Sequence, residues 1–188
     1  MNEPESKAKY VMVGAIRGTN EQRREVTVMD EFALARVLHV LGVVLWVGGV
    51  GMVTTVLIPA MAQIKSVSER KEFFGRIESR FAPQARFTTL LVGLSGFYMV
   101  HILNAWSRFT ELRFWWMHAM VLVWLIFTLM LFVVEPLVLR RQIKNTADQD
   151  SIKTLARMRR MHWVMLSLSL VAVAGAVAGS HGWMFHGE

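Results

Sequence analysis

The sequence predicts an all-α membrane protein, an antiparallel bundle of four transmembrane helices. Three observations carry that expectation. Hydrophobic residues make up 54% of the 188-residue chain, and its mean hydropathy is +0.38, high for a water-soluble domain. The apolar residues are gathered into four runs rather than spread along the chain. Each run supplies the roughly 20 residues that a helix needs to cross a hydrocarbon core. The runs are too long for tilted strands and show no apolar–polar alternation, so a barrel is not indicated.

The elements follow in order. Residues 1–31 form a polar tail carrying Lys7, Lys9, Arg17, Arg23 and Arg24 among several acids. It is too long and too polar for a cleaved signal peptide, so the first span is expected to be retained. The membrane domain covers 32–188, with spans at about 32–62, 86–106, 114–139 and 162–183. The connection 63–84 mixes charges with Phe73, Phe74 and Ile77 at helical spacing, which predicts an amphipathic helix along the membrane surface. The connection 107–113 is short and makes spans two and three antiparallel neighbours. The polar stretch 142–160 is expected to extend both flanking helices, and Pro59 and Pro136 to bend or end theirs.

Orientation comes from the basic residues. With side A holding both termini, the side-B connections carry thirteen Lys and Arg, from Lys65 to Arg86 and from Arg140 to Arg160. Side A has Arg108 and Arg113 in its one connection, besides Arg36 and the mixed-charge tail. The positive-inside rule then predicts a bacterial inner-membrane protein with side B cytoplasmic and both termini periplasmic. The net charge of +7 belongs to these loops and gives no reason to expect a nucleic-acid partner. Cysteine is absent, which excludes disulfides, thiolate metal sites and iron–sulfur clusters held by the chain's own thiolates. Trp106, Trp115, Trp116 and Trp183 fall at side-A span ends and Trp163 at a side-B end, as an interfacial aromatic belt would place them. Gly175 and Gly179 form a small-xxx-small pair suited to close helix contact.

The candidate site rests on histidines. His39, His101, His118 and His181 come one from each span, about 5–10 Å inside side A at the helical rise of 1.5 Å per residue. A cofactor held in a bundle needs ligands from facing helices at one level, and imidazole is a usual donor. Haem b fits this pattern. His39 and Trp46 are seven residues apart and nearly eclipsed, with Gly42 and Gly49 flanking the stripe as a clearance for a flat ring or as plain packing. Gly93 and Gly96 stand in the same relation to His101. Up-down connectivity puts spans one and three, and two and four, on diagonals, which gives His39–His118 and His101–His181 as candidate ligand pairs. Copper is the competing metal, since thioethers suit Cu(I) and the chain has thirteen methionines. However, Met99 and Met117 lie on different helix faces from their neighbouring histidines.

Glu135 is the one acid well inside a span. An ion pair with Arg86, at the same end of span two, is expected; a proton carrier beside a side-B quinone site is the functional alternative.

The stretch LHVLGVVLWVGG, Leu38–Gly49, resembles the first span of copper-resistance protein D-like and related four-span bacterial membrane families. It is also similar to the opening of HemJ-type protoporphyrinogen oxidases, four-helix membrane enzymes with a haem b ligand in that span. The resemblance implies His39 as a metal or haem ligand, with Trp46, Gly48 and Gly49 as its packing partners. The HemJ-type pattern also expects an intramembrane lysine, and no span here has one in its core. Together the readings give a haem b protein passing electrons, with a quinol or a partner cytochrome, as the first expectation. A copper or small-solute transporter, a HemJ-like oxidase, and an accessory subunit of a larger respiratory complex are the others.

Overall fold

The computed structural model describes the backbone of residues 3–137 and 151–182, and the side chains of 22–70, 72–137 and 155–182. It is all-α, and four of its helices are long and apolar enough to cross a membrane. Helix α1 runs Glu3–Met52 and continues through a π-helical turn, Val53–Leu57, into α2, Ile58–Gln63. Helix α3 is Val67–Ile102. Two 3-10 turns, Trp106–Thr110 and Leu112–Phe114, lead into α4, Trp115–Leu129, which passes through a second π-turn, Met130–Val134. Helix α5 is Ser151–Ser180.

The polar tail and span one thus share a single helix, and so do the amphipathic segment and span two. Ser66 starts α3 by accepting the Glu69 N–H on its hydroxyl, at 3.3 Å, a serine N-cap with glutamate at its third helical position. From there Phe74, Ile77 and Phe81 pack on Val53, Leu57, Ile58 and Met61, together with Leu155 of α5. The amphipathic stretch therefore buries its apolar face on protein. Helix α3 ends at Ile102, and in the turn after it Asn104 has a φ of 49°, in the left-handed region that asparagine tolerates better than most residues.

Both π-turns have the same cause. Each ends two residues before a proline, Pro59 or Pro136. A proline offers no N–H to the carbonyl four residues back, and its ring pushes that carbonyl away. The helices respond by slipping one residue: the Ile58 N–H reaches Val53 O, and the Glu135 N–H reaches Met130 O. The prolines thus widen the spans locally instead of ending them.

In the bundle α1 lies beside α3 and α5, and α4 closes the ring against the same two helices, so α1 and α4 are diagonal. The core is Trp46, Val50, Val92, Val123, Phe127, Leu166 and Ala172, drawn from all four long helices. The outer faces carry exposed aliphatic side chains such as Val44, Leu94, Leu122 and Val171, as lipid contact requires.

Glycines admit rings at the seams. A Cβ on Gly93 would meet the Trp124 indole at 2.5 Å, one on Gly175 the Trp115 ring at 2.5 Å, and one on Gly179 the Trp116 ring at 2.5 Å. Trp116 is buried and Trp115 half-buried, so these two tryptophans lock α4 to α5 rather than anchoring the protein in the interface. Trp106 and Trp163 are exposed at span ends, as the belt reading expects. Trp183 lies outside the described residues.

Candidate functional site

His39 turns into the seam between α1 and α3. Its Nδ1 lies 3.0 Å from Val92 O and 3.2 Å from Ser95 Oγ. A carbonyl can only accept, so Nδ1 carries the proton and donates it, and Nε2 keeps its lone pair. Gly96 lets the ring come this close: a Cβ there would stand 3.1 Å from His39 Cε1. Ser95 is itself buried and anchored to Leu91 O. An imidazole whose Nδ1–H is held by a main-chain carbonyl, with Nε2 free, is oriented as metal-binding histidines usually are.

The other three histidines are held differently. His118 contacts Phe109 O through Nε2 at 2.9 Å and Phe114 O through Nδ1 at 3.2 Å, so its ring braces the side-A connection to the start of α4. His181 is exposed and bonds Val177 O of its own helix at 2.8 Å. His101 is exposed on the outer face of α3. The shared depth is matched by no shared direction. Neither expected pair, His39–His118 or His101–His181, is arranged as two axial ligands. Among the described residues no three or more His, Asp or Glu side chains come together as a metal site.

The glycine clearances are also taken. The space beside Gly42 is filled by Val92 and Leu91, that beside Gly93 by Trp124, and that beside Gly96 by His39 itself. Tested against a haem b, the chain therefore fits one axial ligand, His39, and does not fit a bis-histidine haem sandwiched between its own helices. Of the resemblance's packing partners, Gly49 sits against Phe81, while a Cβ on Gly48 would meet nothing within 4 Å.

A second constellation lies toward side B, where the sequence reading had only Glu135 and Arg86. A cavity of about 90 Å³ opens between α1, α3, α4 and α5, lined among others by Trp46, Phe81, Phe127, Met130, Met165 and His162. The π-turns help to shape it, since Val53 and Met130 both belong to its wall. Trp46 is 6% exposed and packs edge-to-face on Phe127, with ring centroids 4.9 Å apart. Its Nε1–H has no acceptor among the described residues. A buried unpaired donor costs about 1–3 kcal/mol, so it is uncommon without a reason. His162, on the α5 wall of the cavity, donates Nδ1–H to Met158 O at 2.9 Å and so keeps Nε2 as an acceptor.

Beside this cavity, Arg86 Nη2 donates to Glu135 Oε1 at 2.7 Å, and its Nε lies 3.4 Å from Leu131 O. Leu131 belongs to the second π-turn and also lines the cavity. The side chains are 35% and 18% exposed, so the pair is half-sunk at the side-B end of the bundle.

No protein-family model, curated protein or solved structure matches the chain. Sequence reasoning named Trp46 as a companion of His39, whereas the fold makes it a wall of the side-B cavity. His162 follows Arg159 and Arg160 at the side-B end of span four, away from the side-A histidine layer. The sequence signal for the cavity is the pair of prolines near the side-B ends of spans one and three, Pro59 and Pro136, each preceded by a π-turn.

Proposed function

We propose that the protein is an electron-transfer protein of the bacterial inner membrane, with side B cytoplasmic and His39 holding a haem b near the periplasmic face. The observation that carries the reading is the Nδ1–H bond from His39 to Val92 O, which fixes the tautomer and presents Nε2. Ser95 adds a second contact to the same nitrogen and holds the ring plane. Gly96 lets the imidazole lie flush on α3, so its direction is set by backbone and not by a mobile side chain. The residue is half-buried, which leaves a ligand access to it. A bound haem would supply one-electron chemistry, with its potential tuned by this single imidazole and its apolar surroundings. Electrons would be exchanged with a membrane quinol or a partner redox subunit.

The test is the reduced-minus-oxidised absorption spectrum of protein purified from a haem-proficient host. Wild type is expected to show a b-type signal, His39→Ala to lose it, and His118→Ala to keep it because that ring serves the connection to α4. An undiminished signal in His39→Ala overturns the assignment.

A further inference from the structure

We propose that the side-B end of α5 binds the head group of an acidic phospholipid, with Arg159 and Arg160 on its phosphate and Trp163 beneath them at the depth of the glycerol backbone. The proposal uses no residue of the His39 site and stands apart from the haem reading. Three observations support it.

First, the charge at this end is one-sided. Helix α5, Ser151–Ser180, carries Lys153, Arg157, Arg159 and Arg160 near its start and no Asp or Glu anywhere. Other arginines on side B have acids to pair with, Arg86 with Glu135 and Arg76 with Glu72. Arg159 and Arg160 are exposed and form no ion pair among the described residues. Neighbouring guanidinium groups repel each other, and an anion held between them turns that repulsion into two charge-assisted hydrogen-bonding contacts.

Second, the helix sets their direction. Trp163 follows Arg160 by three residues and Arg159 by four, which makes it the surface neighbour of both. Leu155, Met158, His162 and Leu166 take the inward face and are buried or half-buried. Helical side chains lean toward the N-terminus of their helix, which for α5 is side B. The arginine stems therefore reach toward the phosphate level, and the indole covers the turn between them and the hydrocarbon.

Third, the surface continues as a lipid does. Trp163 is 48% exposed, and Val164, Leu168 and Val171 extend the exposed surface deeper along α5. Guanidinium, indole and aliphatic side chains thus follow one another in the order phosphate, glycerol and acyl chain. An acidic protein segment would match the arginines alone, whereas an acidic phospholipid matches the whole face.

The experiment uses the full chain, delipidated in mild detergent and titrated with phosphatidylglycerol or phosphatidylcholine of matched acyl chains. Native mass spectrometry counts the bound lipids. The first phosphatidylglycerol is expected to bind wild type about tenfold tighter than the first phosphatidylcholine. Arg159→Gln combined with Arg160→Gln should bring the two lipids level. Lys65→Gln combined with Arg80→Gln removes the same charge from other exposed side-B positions and should keep the preference. Trp163→Ala should weaken both lipids alike, because the ring serves the glycerol and acyl region. Thermal unfolding of the lipid-free variants checks that each is folded. If the double arginine variant unfolds early, Arg160→Gln alone takes its place and should cut the preference to about threefold. Equal binding of the two lipids to wild type, or a preference that survives loss of both arginines, overturns the proposal. So does an equal loss in Lys65→Gln with Arg80→Gln, which would trace the preference to the general field of side B, or a Trp163→Ala variant that binds both lipids as wild type does.

Discussion

Replacing Glu135 with alanine is expected to destabilise the bundle by about 3 kcal/mol, the cost of leaving one member of a sunken ion pair without its partner. Arg86 would lose its 2.7 Å bond to Glu135 Oε1 and keep Leu131 O, at 3.4 Å, with the Glu78 carboxylate as the remaining charge near it. Side-chain exposures of 35% and 18% let some water or lipid head group compensate, which holds the figure near the lower end of what buried pairs cost. Glu135→Gln keeps an acceptor oxygen and should cost less, about 1–2 kcal/mol. The double replacement Arg86→Leu with Glu135→Leu removes both charges and should recover most of the loss, since an apolar pair in this position demands no solvation. Unfolding in mixed detergent micelles gives all four stabilities, and the double-mutant cycle isolates the coupling. If Glu135→Ala proves as stable as wild type, the pair is solvated and its structural role is wrong.

That ion pair lay open to sequence reasoning because an acid and a base at the same depth of apolar spans have few other partners. The four spans were legible for a similar reason: length and apolarity suffice, with no need for periodicity. Direction around each helix was a different matter. A soluble helix reveals its inner face through polar residues on the outer one, but a span is apolar all round and offers no such contrast. His39 and His101 therefore looked alike by depth. Their neighbours differ in size. His39 shares a stripe with Ala35, Gly42 and Trp46, of which Ala35 and Trp46 are core residues. His101 shares one with Leu94, Phe97 and Tyr98, all exposed. Small residues mark the seams because only they let helices or rings approach closely. Large aliphatic and aromatic stripes mark lipid. At the positions three and four residues away, Ala35 and Gly42 beside His39 against Phe97 and Tyr98 beside His101, size already separates the inward histidine from the outward one. The buried Trp46 shows that a large ring can also face inward. The side-B cavity was harder to foresee, since it depends on two helices widening together before Pro59 and Pro136.

The same logic of close approach predicts opposite signs for alanine at different glycines. At Gly93 the added carbon would sit 2.5 Å from the Trp124 ring, whose Nε1–H also bonds Thr89 O at 2.9 Å. The indole has to move away from α3 by about 1 Å to restore van der Waals separation, which loosens its edge-to-face contact with Phe97, with ring centroids 5.6 Å apart. Overpacking of this kind costs about 1–3 kcal/mol, and weakening the Trp124–Thr89 bond adds about 1 kcal/mol more. Gly93→Ala is therefore expected to lose about 2–4 kcal/mol. Gly48→Ala meets nothing within 4 Å and keeps only the backbone term, in which alanine outperforms glycine in a helix by up to about 1 kcal/mol. It should be neutral or slightly stabilising. Gly42→Ala falls between, because its new carbon would be 2.9 Å from Val92 Cγ2, and valine is stiff about χ1. Thermal unfolding of the three variants in one detergent decides the matter. If all three shifted alike, the glycines would be acting through helix propensity alone. An order of Gly48→Ala, Gly42→Ala, Gly93→Ala from most to least stable would tie each glycine to the side chain it admits. Within Leu38–Gly49 that assigns Gly42 to α3 packing and leaves Gly48 facing lipid, so a motif read as one glycine-lined stripe consists of positions with separate physical roles.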